Sequence, residues 1–268
     1  MDEDRTDQAA TFLNLALKTL DEWRHLPAYQ LERRVDIFFG LLLPEILEAE
    51  YGLPRNHMEV IPEFPLHKGL IVNAKDESRK DHQSVNVDFA VFHQGPDRNR
   101  IFLVELKTDN ASIKKKQLEC MEKAKDKDKG ADALLQGVIF CAQNSNSPRK
   151  YAHLIRRLDQ LGCIEGFGKL SREDWDRERP GLADRFKNLD VGKSWSNAKI
   201  ECVLLYPGKI LPTHSSEADE ALEDSSPWLR LVDFLDIAKL VKDSPLSWFL
   251  VEWATCEAGR VTPWPIEH

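Results

Sequence analysis

Two short segments of the chain carry carboxylate and ammonium groups at a spacing that could hold a metal ion. The first is Val85-Asn86-Val87-Asp88, and the second is Val104-Glu105-Leu106-Lys107. The first belongs to an alternating segment, 85–92, and the second ends a continuously apolar run, 101–104, and both patterns are typical of β-strands. Because side chains alternate along a strand, Glu105 and Lys107 point to the same face. Carboxylate oxygens in such a setting are ligands that hard cations such as Mg²⁺ prefer.

The two segments are the expected arms of an antiparallel hairpin around the turn-like residues 93–100. If Phe92 lies opposite Ile101, the same register places Asp88 opposite Glu105, with their Cβ atoms roughly 5 Å apart. Like charges in that position destabilise a sheet unless a cation compensates them. The hairpin therefore predicts a site for Mg²⁺, or for Mn²⁺, beside the Lys107 ammonium. A bulge in the turn would change this register.

Such a site suits the hydrolysis of a phosphodiester bond. A metal ion there neutralises charge on the phosphate and lowers the pKa of a bound water. The neighbouring lysine can orient or deprotonate that water and stabilise the charge that develops.

This arrangement resembles the PD-(D/E)XK nuclease superfamily, which has a restriction endonuclease-like core. Asp88 matches the motif's aspartate, and Glu105-Leu106-Lys107 matches (D/E)XK and is the only such tripeptide in the chain. By this resemblance, Asp88, Glu105 and the backbone carbonyl of Leu106 hold the metal, and Lys107 serves the nucleophilic water. The resemblance covers about residues 29–142. It implies an α/β fold, with a mixed central sheet flanked by helices, and a Mg²⁺-dependent nuclease that acts on DNA.

In that family a glutamate from the first core helix often joins the site, and Glu32 resembles it. At about 100° per residue, Glu32 aligns with an apolar stripe that would face the core. The stripe consists of Val35, Phe39, Leu43 and Ile46. Asp36, one helical turn further on, is the alternative to Glu32.

The lysine-rich helix expected after the motif supplies the candidate substrate-binding residues. Gln117 resembles the glutamine of RecB-like members, although Met121 stands where those members have a tyrosine. Lys114 and Lys116 are the cations expected to contact the substrate beside it. The alternative is that these three residues belong to a solvated helix face.

The formal net charge of −8, from 37 Lys+Arg against 45 Asp+Glu, argues on its face against a nucleic-acid partner. The charge is segregated along the chain, however. Residues 111–130 carry a net charge of +3, and residues 214–236 carry −6. A second basic cluster contains Arg149, Lys150, Arg156 and Arg157 with no acidic residue between them. Nucleic acid therefore remains the expected partner, through a local basic patch, and a homodimer is left open.

Composition limits the other classes of protein. The five cysteines have no CxxC spacing, which fits a reducing, cytoplasmic setting and predicts no structural zinc site. No apolar run approaches the roughly 20 residues of a membrane span, and the first ten residues are acidic where a signal peptide would be basic. No membrane partner is expected.

The pattern of apolar residues predicts one domain over 1–268, with a PD-(D/E)XK-like core at about 29–165 and a C-terminal α/β extension at about 166–268. Helices are expected at 7–25, 29–51 (with an interruption at Pro44), 111–129, 148–161 and 228–242. Strands are expected as two short runs within 58–72, and at 85–92, 101–104, 134–142 and 199–206.

Two other functions are compatible with the sequence. One is a catalytically inactive member of the same fold that binds nucleic acid or a protein. The other is an unrelated α/β interaction protein whose acidic 214–236 segment docks a basic partner. For the motif itself, the alternative to a nuclease-type site is that Glu105 and Lys107 form a surface salt bridge at a strand end and that Asp88 is a polar hairpin residue.

Overall fold

The computed structural model describes residues 11, 13–19, 32–67, 69, 84–108, 113, 115–125, 130–168, 184–208, 228–242 and 245–257, without the side chains of 32, 33, 116, 117, 245, 252 and 255–257. Residues 13–19 are helical. The helices that follow are α1 (Glu32–Tyr51), α2 (Lys115–Lys125), α3 (Gly130–Asn144), α4 (Pro148–Gln160), α5 (Phe234–Leu240) and α6 (Pro245–Glu257). The strands are β1 (Met58–His67), β2 (Ser84–His93), β3 (Arg100–Leu106), β4 (Ile164–Glu165), β5 (Asp190–Val191), β6 (Lys199–Tyr206) and β7 (Leu229–Asp233).

The protein has an α/β fold with a central five-stranded mixed sheet flanked by helices, and the strand order is β1-β2-β3-β6-β7. Strands β1 and β2 are antiparallel. The six residues between β2 and β3 are too few for a parallel crossover, so these neighbours are also antiparallel. At one end of β3, Lys199 N donates to Asn99 O (2.9 Å), and at the other Lys107 N donates to Leu205 O (2.8 Å). Strands β3 and β6 therefore run in the same direction.

Helix α1 buries the stripe that the sequence predicts. Val35, Phe39, Leu43 and Ile46 are at most 1% exposed. The helix continues through Pro44, so the interruption considered there is not observed. Gly52 ends it with a left-handed backbone (φ 65°), and its N–H donates to Glu48 O at 2.8 Å.

Residues 58–67 form one ten-residue strand rather than two short runs. The strand accommodates Pro62 and Pro65 because β1 is at the edge of the sheet, where a missing N–H is tolerated. Glu63 has a left-handed backbone (φ 51°), and its neighbours on both sides keep the same register with β2. That register places Glu63 opposite Asp88.

Two expected elements are wrong. The expected strand at 134–142 is the middle of α3. Its buried residues include Ala131, Leu134, Leu135, Val138 and Ala142, a helical spacing that the almost continuous apolar run concealed. The expected helix at 228–242 is strand β7 followed by helix α5. Asp233 separates them because its extended backbone ends the strand and its Oδ1 caps the helix by accepting from Asp236 N at 2.8 Å.

The described chain separates into two compact units. Unit one consists of 1–56, 104–118 and 203–268, and unit two consists of 57–103 and 119–202. In unit one, Trp253 makes ring contacts with Phe39, Phe234 and Phe249. In unit two, Phe92 contacts Phe64 and Trp195. Among the described helices, none has the length and apolar character needed to cross a membrane.

Candidate functional site

The end of β3 is fixed by two contacts within unit one. The backbone N–H of Lys107 donates to Leu205 O of β6 at 2.8 Å, so the extended chain continues past the last residue of the strand. The indole Nε1 of Trp253 donates to Thr108 O at 2.9 Å. Residues 105–107 therefore keep the side-chain alternation of a strand, and Glu105 and Lys107 share a face.

Glu105 and Lys107 form a buried ion pair. Lys107 Nζ lies 2.5 Å from Glu105 Oε1. Glu105 is 0% exposed and Lys107 is 5% exposed. The prediction that Glu105 and Lys107 share a face is confirmed. The alternative expectation of a salt bridge at the surface is wrong, because the pair is removed from solvent.

Burial changes what this pair means energetically. An exposed ion pair contributes about 0–1 kcal/mol, whereas removing one partner of a buried pair costs about 3–5 kcal/mol because the other charge is left uncompensated. Two charges held inside the protein are therefore a candidate for function as well as for stability.

Asp88 lies in the middle of β2, half-buried, in unit two. Strand β2 is the neighbour of β3 in the sheet, as the hairpin requires. The pairing of Asp88 with Glu105 stays a prediction. Within unit two, the residue that the register places opposite Asp88 is Glu63, whose Oε2 accepts from Asn86 Nδ2 at 3.2 Å.

The two candidates for a third carboxylate both lie in the first turns of α1. Glu32 is the first residue of this helix, and its side chain lies outside the described part of the chain. Asp36 is half-buried, and its Oδ1 accepts a hydrogen bond from the backbone N–H of Ile37 at 2.7 Å. Both roles therefore remain predictions.

Lys114 and the side chains of Lys116 and Gln117 lie outside the described residues. The backbone of Lys116 and Gln117 belongs to α2, in agreement with the helix expected there. Met121 is fully buried, which assigns that position of α2 to the core.

The donor set suits Mg²⁺ in chemical type, since Asp88 and Glu105 offer carboxylate oxygens and Leu106 a carbonyl oxygen. Among the described side chains, no three His, Cys, Asp or Glu come together as a metal-binding group. Glu32, the further carboxylate that the resemblance implies, is not among those side chains.

Gly192-Lys193-Ser194 has the last residues of a phosphate-binding loop, but Lys187 stands where that motif requires a glycine, and Gly192 has a structural role. Gly192 N donates to Cys163 O at 2.9 Å, and Gly192 O accepts from Trp195 N at 2.9 Å. A Cβ atom on Gly192 would lie 1.9 Å from Gly162 O. The glycine is therefore required by a close backbone approach, not by a ligand.

Three thiols are poor nucleophiles. Burial raises the pKa of Cys141 to about 11 and that of Cys202 to about 12. Burial also raises the pKa of Cys163. These groups stay protonated at neutral pH, so they supply no reactive thiolate.

Comparison with known proteins finds no matching family model, no matching curated protein and no matching solved structure.

Proposed function

We propose that this protein is a metal-dependent nuclease of the PD-(D/E)XK type, which hydrolyses phosphodiester bonds in DNA. The observation that carries the proposal is the buried Glu105–Lys107 pair at the end of β3. It occupies the single (D/E)xK tripeptide of the chain, in a strand whose sheet neighbour carries Asp88. A mixed sheet flanked by helices is compatible with a restriction endonuclease-like core.

Each residue has a separate role in this proposal. Asp88, Glu105 and the carbonyl of Leu106 would hold Mg²⁺ or Mn²⁺, with Glu32 or Asp36 supporting the site. When bound, the ion would supply charge neutralisation at the phosphate and a more acidic water. The Lys107 ammonium, held at 2.5 Å from Glu105, would orient the attacking water and stabilise negative charge on the phosphate oxygens.

Cleavage of plasmid and oligonucleotide DNA with Mg²⁺ or Mn²⁺ tests this function. We expect cleavage by the wild-type protein, and a loss of about 100-fold or more in Glu105→Gln and Lys107→Met, because the first removes a proposed metal ligand and the second removes the cation that would act on the water and the phosphate. Glu201→Gln and Lys125→Met are the matched controls. Glu201 is also a strand glutamate with little exposure, and its Oε2 lies 3.4 Å from Lys125 Nζ, outside the motif.

The result that contradicts the proposal is activity that survives in folded Lys107→Met protein. Circular dichroism of each variant separates a lost function from a lost fold. Binding of DNA without metal-dependent cleavage would instead favour an inactive member of the same fold.

A further inference from the structure

Unit two contains a groove of about 930 Å³ between the edge strand β1 and helix α4. Its cationic lining comes from α4, and its other wall consists of β1 with the start of β2. We propose that this groove binds the sugar–phosphate backbone of a single-stranded nucleic acid. The choice of nucleic acid over other polyanions rests on the proposed function. The residues that carry the proposal are Lys150, Tyr151, His153, Arg156, Arg157 and Asn86.

Helix α4 has two opposite faces. Ala152, Ile155 and Leu158 are completely buried and hold the helix against the rest of unit two. Lys150, His153, Arg156 and Arg157 are exposed. At about 100° per residue, these four fall within a stripe about 120° wide. The basic cluster expected from the sequence includes Lys150, Arg156 and Arg157, which share this face. His153 is not part of that cluster, but the i, i+3, i+7 spacing of residues 150, 153 and 157 places it on the same face.

Two of these cations are available to a ligand. Within the described part of the chain, the side chains of Lys150 and Arg156 form no ion pair, whereas Arg157 pairs with Glu59 of β1. Among the described residues, Glu63 is the only acidic one that lines the groove, and Asn86 Nδ2 donates to its carboxylate. The lining therefore has an excess of positive charge, which complements a phosphate chain.

The β1 wall is unsuited to adding a peptide strand. Pro62 and Pro65 lack the N–H groups that a paired strand requires, and Glu63 interrupts the extended backbone with a φ of 51°. Tyr151 is half-buried in the groove and offers an aromatic ring beside the cations. A cationic groove with an aromatic ring is the usual arrangement for a single strand, whose bases stack while its phosphates pair.

Within unit two, the groove leads towards Asp88 of β2, a proposed metal ligand. Ser84 and Asn86 line it, and Asp88 follows two residues later on the same face of β2. Two residues along a β-strand span roughly 6–7 Å, which is about the separation of successive phosphates in a nucleic acid. A single-stranded nucleic acid in the groove would therefore extend towards Asp88.

Fluorescence anisotropy with a labelled single-stranded oligodeoxythymidine, full-length protein and EDTA tests the groove without any cleavage. We expect Lys150→Gln/Arg156→Gln to bind about tenfold more weakly at low salt. The plot of log affinity against log salt should also become shallower by about 1.4, the effect of losing two single-strand phosphate contacts. The matched control is Lys193→Gln/Lys242→Gln, two exposed lysines outside the groove with no ion pair among the described residues. It should bind like wild type.

Equal weakening in both double variants overturns the proposal, and so does oligonucleotide binding unchanged by the groove substitutions. Competition by poly-glutamate as strong as that by the oligonucleotide also overturns it, since the groove would then accept any polyanion.

A cleavage assay separates the groove proposal from the proposed nuclease function. If wild-type protein with Mg²⁺ cleaves nothing but the groove variant still loses binding, the nuclease function fails and the groove stands. If cleavage occurs and the groove variant cleaves and binds normally, the groove fails and the nuclease function stands.

Discussion

At the scale of single residues, the central feature is a carboxylate and an ammonium two positions apart on one strand, both removed from water. Glu105 and Lys107 are 0% and 5% exposed. Each charge compensates the other there. Stability and the proposed chemistry therefore depend on the same two side chains, and experiments have to separate the two effects.

The effect on stability is measured by itself when Lys107→Met is compared with a double variant that removes both charges. We expect Lys107→Met to lower the free energy of unfolding by about 3–5 kcal/mol, since it leaves the Glu105 carboxylate buried without this cation. Glu105→Gln/Lys107→Met should recover most of that loss, because no buried charge remains at either position. Urea titration measures both. Lys187→Met, at the exposed pair with Asp184, is the control and should cost less than about 1 kcal/mol. A double variant no more stable than Lys107→Met would contradict this account.

His93 is another buried polar residue, and the proposed chemistry does not use it. It is 2% exposed, and neither ring nitrogen has a hydrogen-bond partner among the described residues. Desolvation is the main cause that lowers its pKa from 6.5, followed by the charge of Arg100 and the nearby His57. The folded protein therefore binds a proton at His93 less readily than the unfolded chain does.

This lowered pKa predicts how stability depends on pH. The stabilising contribution is complete above the unfolded pKa of about 6.5 and is lost as pH falls from there towards the lowered pKa of the folded state. We expect urea midpoints to fall between pH 7.5 and 5.5, and His93→Leu to reduce that fall. Phe92→Leu, its fully buried neighbour, is the control for lost packing and should leave the pH dependence unchanged. A pH dependence identical in His93→Leu and wild type would show that another group is responsible.

At the scale of elements, periodicity predicts helices with one apolar face and fails for segments that are apolar on several sides. Helices α1 and α4 are found where the pattern places them, since each has a clear polar face. In α3, Gln136 alone interrupts a run of nine otherwise apolar residues, so the local sequence does not distinguish a buried helix from a buried strand. At β7 and α5, the change of structure depends on one capping residue, Asp233.

Two glycines allow the cost of a steric clash to be compared with the cost of a left-handed backbone. Gly192→Ala should lower the free energy of unfolding by about 3 kcal/mol or more, because its Cβ would lie 1.9 Å from the backbone oxygen of Gly162. Gly52→Ala should cost only about 1–2 kcal/mol, since its Cβ would have no neighbour within 4 Å and only the left-handed backbone opposes it. Thermal and urea unfolding measure both. The reverse order of stability would show that backbone strain outweighs the clash.

At the scale of the whole molecule, the net charge of −8 is a poor guide to partners because charge is segregated. The exposed face of α4 is cationic, whereas the proposed site gathers carboxylates. A patch of this kind allows weak, salt-sensitive binding to nucleic acid despite an acidic total.

The proposed metal site predicts that Mg²⁺ stabilises the folded protein. An ion that binds the folded state alone raises the free energy of unfolding by RT ln(1 + [L]/Kd), about 2.7 kcal/mol at a concentration 100 times Kd. We expect Mg²⁺ to raise the melting temperature of the wild-type protein above that in KCl of equal ionic strength. The increase should disappear in Asp88→Asn and persist in Asp184→Asn, an exposed acid in an ion pair. An equal increase in all three proteins would indicate general screening of the acidic chain and not a site.

The sequence by itself determines the features that depend on residue type and local spacing. These are the apolar stripe of α1, the shared face of Glu105 and Lys107, the helix end at Gly52 and the basic cluster of α4. Only the tertiary structure decides the helical state of 134–142, the burial of the Glu105–Lys107 pair and the groove beside β1. The physical reason is that alternation and helical period are properties of neighbouring residues. Removal from solvent, and the meeting of an edge strand with a helix about 90 residues later, depend on long-range packing that no local pattern contains.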